Sequence, residues 1–79
     1  MSPTIFRERG YRFFFFSREE SRPHIHIYCG DGEAKFWLDP QVELARNYRL
    51  SKVQLTEIEA IIEAHYYELK AAWNEYFGT

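Results

Sequence analysis

The stretch that most constrains this chain runs from His24 to Asp39, where two alternating runs flank Asp31-Gly32. Asp-Gly between such runs is a strong signal for a two-residue β-hairpin. With Asp31 and Gly32 as the loop, Cys29 pairs with Ala34, Ile27 with Phe36 and Ile25 with Leu38, so one face is wholly apolar. The other face pairs Tyr28 with Lys35 and His26 with Trp37, and sets His24 beside Asp39. A slip of one residue would place Ile27 opposite Lys35 and bury charge, so the assignment of faces is firm.

The flanking segments extend this pattern. Ile5 to Phe16 reads as β-structure interrupted at Gly10, because Phe and Tyr suit pleated surfaces and Gly permits a turn or bulge. Residues 17–23 are polar and read as a loop, and Asp39-Pro40 is a turn signal. Val42 to Tyr48 then reads as a strand with Val42, Leu44 and Tyr48 inward. Ser51 and Gln54 have capping-box spacing, and Leu55, Ile58, Ile62, His65, Leu69, Trp73 and Tyr76 recur at steps of three and four up to a stop at Gly78. The expected fold is α+β: a small antiparallel sheet of four to five strands with one long C-terminal helix packed on one face. Residues 1–79 form a single domain, β-rich over 1–50 and helical over 51–79. A helix over 52–77 would be about 39 Å long against about 20 Å for six-residue strands, so it must overhang the sheet or bend.

Composition bears on what the uncovered face does. Of the 79 residues, 15 are Phe, Tyr or Trp and only 13 are Val, Ile or Leu. One helix covers one face of a sheet. The other face, with Tyr28, Lys35, Trp37, Phe14 and Phe16, and the helix end with Trp73, Tyr76 and Phe77, are therefore expected to form an interaction surface, through self-association or with a protein partner. The net charge of -2 excludes a general nucleic-acid coat protein. Arg7, Arg9, Arg12, Arg18 and Arg22 among aromatics could clamp phosphates while rings stack on bases, but a charged edge that blocks sheet-to-sheet pairing is the favoured reading of that run. The lone Cys29 cannot close an intramolecular disulfide, and the longest apolar run, Phe13 to Phe16, is far short of a membrane span. A cytoplasmic protein without a membrane association is expected.

The histidines supply the alternative. His24 and His26, two apart on a strand, point the same way with Cα atoms about 6.6 Å apart and can converge on a divalent metal, with Asp39 or Glu20 as third ligand. That reading makes the protein a metal-assisted hydrolase or nuclease, with no metal identity implied. His65 lies in the apolar helix stripe and is expected to be a core histidine hydrogen-bonded to a neighbour, with Tyr28 as a conceivable partner. No Ser, Cys or Gly-rich constellation indicates nucleophilic catalysis or phosphate binding.

Phe6 to Gly10, Pro23-His24-Ile25-His26 followed by Tyr28 and Gly30, Ala34 with Phe36, and a C-terminal helix bearing His65, Leu69 and Trp73 together resemble a bacterial and archaeal family. It is catalogued as domain of unknown function forty-one sixty, with a Pro-Pro-His-Phe-His signature. Here Arg22 stands for the first Pro, Ile25 for the Phe, and an upstream histidine of the family falls near Glu20 or Ser21, which weakens a three-histidine metal site. The resemblance implies a short stand-alone protein encoded beside another small protein, in pairs suspected of being toxin-antitoxin-like. A small protein partner from the same operon is thus expected.

Overall fold

Five strands form one antiparallel sheet in chain order: β1 Thr4–Glu8, β2 Tyr11–Phe14, β3 His24–Cys29, β4 Gly32–Trp37 and β5 Glu43–Tyr48. Two helices follow, α1 Lys52–Ala64 and α2 Tyr66–Phe77. The computed structural model describes residues 4–16 and 21–78. Most of the expected 17–23 loop, and Glu20 within it, lies outside the described residues.

The β1–β2 turn takes positive φ at both central residues, 53° at Arg9 and 82° at Gly10. This backbone matches the right-handed twist of the flanking strands, and Gly10 supplies one of the two positions without steric cost. Arg9 does not have that freedom, and its side chain is anchored: Nη1 lies 2.9 Å from Glu57 Oε2 on α1. The hydroxyl of Tyr11 donates to the other oxygen of the same carboxylate at 2.8 Å. Burial, and then this bond, push the Tyr11 phenol up to about 12.

The β3–β4 hairpin keeps the expected faces but not the expected register. Cys29 pairs with Gly32, Ile27 with Ala34 and Ile25 with Phe36, so the loop is Gly30-Asp31 and the pairing is two residues from the one anticipated. A two-residue shift returns every side chain to its own face. Burial of a Phe or Ile is worth roughly 1.5–3 kcal/mol, which forbids a one-residue slip and leaves a two-residue slip to be decided elsewhere. Gly32 decides it. A Cβ at Gly32 would overlap the carbonyl oxygen of Tyr48 on β5, so this glycine serves a close strand approach and is not released to the turn.

On β5, Lys35 pairs with Arg46 and Phe36 with Leu44, which leaves Ala45 as a bulge. The extra residue inverts the alternation. Leu44 faces the helices with Phe36, whereas Tyr48, opposite Glu33, faces outward and is 60% exposed. The expectation of an inward Tyr48 is therefore corrected.

Ser51 caps α1 with both bonds of the capping box, Gln54 N to Ser51 Oγ at 3.1 Å and Ser51 N to Gln54 Oε1 at 2.9 Å. The single long helix is corrected to two. A straight helix of about 39 Å would exceed the longest dimension of the fold, 33 Å. The break falls at His65 (φ -110°, ψ 19°), whose N–H is shared between the carbonyls of Ile61 and Ile62 at 3.2 and 3.1 Å. The bend brings Leu69 and Trp73 down onto the sheet instead of leaving them beyond it. Phe13, Phe15, Ile25, Ile27, Phe36 and Leu38 meet Ile58, Ile62, Leu69 and Trp73 in one core. Phe15 is its aromatic centre, with Trp73, Phe77 and Tyr76 rings at 5.3, 5.8 and 5.9 Å.

Candidate functional site

The face of the sheet turned away from the helices is organised in rows set by strand register. One row runs Arg7, Arg12, Tyr28, Glu33, Tyr48 from β1 to β5, and the next runs Thr4, Phe14, His26, Lys35, Arg46. A third, shorter row holds His24, Trp37 and Glu43. Directly opposed residues share a face, so this side of the sheet carries basic and aromatic side chains together with the carboxylates of Glu33 and Glu43. Arg12 lies 4.3 Å over the Phe14 ring, while Arg22 and Lys35 lie 4.2 and 4.5 Å from the Trp37 ring. A cleft of about 490 Å³ opens on this face between Phe16, His26, Glu33, Lys35, Arg46 and Tyr48.

The two strand histidines behave differently. His26 is half-buried and packs against Phe16 and Phe14, with centroids at 4.5 and 5.5 Å. His24 is fully buried, 5.7 Å from Trp37 and 4.9 Å from Trp73, and its Nδ1 lies 2.7 Å from the carbonyl oxygen of Arg22. Trp73 comes to this ring from α2, the segment that follows the break at His65. The imidazoles of His24 and His26 are 5.1 Å apart, edge to face. Asp39 accepts from Lys70 Nζ at 3.1 Å, which raises the lysine above its usual range and places the carboxylate on the helix side. Glu20 lies outside the described residues. Among the described residues no group of three or more His, Cys, Asp or Glu is placed to hold a metal ion.

The expected interaction residues divide into two sets. Trp73, Phe14 and Lys35 are buried within the chain, and Trp37 and Phe77 are partly covered. Phe16, Tyr28 and Tyr76 are exposed at 38%, 48% and 53%. Sequence reasoning missed two members of the exposed set on β5, Leu44 and Tyr48. An amphipathic strand reading assigns both inward, and no local signal marks the bulge that separates them.

His65 is not a core residue bonded to Tyr28. It is half-buried at the bend, its ring tilted against Phe6 with centroids 4.4 Å apart, with Nδ1 2.9 Å from Glu68 Oε1 and Nε2 3.1 Å from Glu8 Oε1. These carboxylates, Glu68 first, raise its pKa above the ordinary histidine value. Glu68, three residues on, was within reach of helix arithmetic, whereas Glu8 becomes a neighbour only through the fold.

Fold and face together define a small α+β protein, a five-stranded meander backed by a bent helix pair and presenting a mixed cationic and aromatic surface. The chain belongs to the family described as Domain of unknown function (DUF4160), whose model matches residues 10–74. No curated protein and no solved structure matches it. No helix among the described residues is long and apolar enough to cross a membrane.

Proposed function

We propose that the protein is a small cytosolic protein-binding module that docks a small partner encoded beside it, in the toxin-antitoxin-like manner the family resemblance implies, through strand β5. The observation that carries this reading is the exposure of β5 at the sheet edge, where Leu44 is 44% and Tyr48 60% exposed. The other edge, β1, leads into a turn held to the helices by Arg9–Glu57 and Glu8–His65 contacts. Ala45 bulges out of the β5 ladder, which limits unspecific sheet growth and leaves Leu44 and Tyr48 as side-chain anchors on either side of it. Hydrophobic anchors beside an open backbone edge are what strand-addition partners use.

Co-expression with the neighbouring gene should give a complex that co-purifies at low and high salt. Leu44→Lys should abolish it while leaving the melting temperature of the isolated chain within a few degrees. Failure of the two wild-type chains to co-purify refutes the partner, and light scattering of the chain alone separates partner binding from self-association.

A further inference from the structure

We infer that the outer face of the sheet is also a binding platform for single-stranded polynucleotide, a function beyond protein docking at β5. The argument begins with charge. The chain as a whole is acidic, at -2. Among the described residues, the ladder positions of the outer face carry three basic groups that reach the surface, Arg7, Arg12 and Arg46, with Lys35 buried, against two acidic ones, Glu33 and Glu43. Residues 51–79 carry two basic groups against five acidic. The fold thus separates a cationic sheet face from an anionic helical half, and a polyanion would be drawn to the former.

Rings decide what kind of polyanion fits. Tyr28 and Tyr48 stand in one row with Glu33 between them, and Phe16 stands at the mouth of the cleft. Two strand spacings set the tyrosines about 10 Å apart. Exposed rings on a sheet, flanked by arginines, are how single-strand binders stack bases while cations track the phosphates. A duplex hides its base faces and gains nothing from these rings.

Glu33 separates nucleic acid from an acidic peptide. A carboxylate between the two tyrosines repels a peptide carboxylate, yet it can accept a hydrogen bond from the exocyclic amine of a stacked base, as carboxylates do from cytosine N4. The face should therefore prefer bases that carry an amine over uracil.

Fluorescence anisotropy with labelled oligo(C) and oligo(U) of about 12 nucleotides, as RNA and as DNA, and with a duplex control, tests this between about 50 and 200 mM salt. Oligo(C) should bind more tightly than oligo(U) and than duplex, with affinity falling as salt rises. The RNA and DNA arms identify which polynucleotide is preferred. Arg7→Ala and Arg46→Ala should each lower the salt slope by roughly 0.7. Tyr48→Ala should weaken binding by about fivefold or more, and Glu33→Ala should erase the preference for C over U. Circular dichroism verifies the fold of each variant, and Arg7→Ala, an exposed change remote from β5, keeps the test decisive if Tyr48→Ala is unstable. Absence of oligo(C) binding at about 50 mM salt, duplex binding of equal strength, or a salt slope unmoved by both arginine changes overturns the inference.

Discussion

His65 makes the stability of this protein depend on pH in a direction opposite to that of a buried neutral histidine. Both ring nitrogens face carboxylate oxygens, at 2.9 Å (Glu68) and 3.1 Å (Glu8). A neutral imidazole can donate from only one nitrogen, so the two contacts are both satisfied only by the imidazolium. The folded-state pKa is accordingly raised above 6.5. The associated stabilisation is fully present below that unfolded value and is lost as pH rises through the higher folded value. The carboxylates are 40% and 61% exposed, so each contact is worth only a few tenths of a kcal/mol to about 1, and the pair about 1 kcal/mol. Urea unfolding of wild type and His65→Gln at about pH 5.5 and about pH 8.5 isolates this contribution, because the other titrating groups are common to both chains. Wild type should lose about 1 kcal/mol more than the variant over that interval. Identical pH dependence in the two proteins, or an NMR titration of His65 below 6.5, would refute the two-carboxylate account.

Three further outcomes follow from packing and backbone. Gly32→Ala should cost about 1–3 kcal/mol, because the new methyl must displace the Tyr48 carbonyl; a melting temperature equal to wild type would show that β5 yields freely. Trp73→Ala should cost roughly 3–5 kcal/mol, a large share of the ~4–12 expected of a chain this long, so near-ultraviolet circular dichroism should weaken and exposed-surface dye should bind. Ser51→Ala removes one bond of the capping box and should cost about 1 kcal/mol in denaturant melts, with m unchanged.

What the sequence made legible follows from which side-chain periods are local. The two faces of the β3–β4 hairpin were readable because period two is a local property, while its register was not, since a shift of two preserves the period. The deciding contact, Gly32 against Tyr48, joins two strands. Tyr48 was assigned to the wrong face because one bulged residue, Ala45, resets the alternation without a residue type that announces it. Helix length alone required an overhang or a bend, but no local signal marks His65 as its place, and the contact His65 makes there with Glu8 joins residues 57 apart in the chain. His24 is a similar case: strand periodicity sets it on the outer face, and its contact with Trp73 of α2, 49 residues on, is visible only in the fold.

Because each strand pairs with its neighbour in the chain, the sheet can assemble in the order in which it is synthesised. Its helix-facing side cannot. Phe13, Phe15, Ile25 and Phe36 have no cover until residues 58–73 have left the ribosome. A chain truncated before α2 leaves that aromatic surface without Leu69 and Trp73 to cover it. Such fragments are expected to be captured by chaperones or to aggregate.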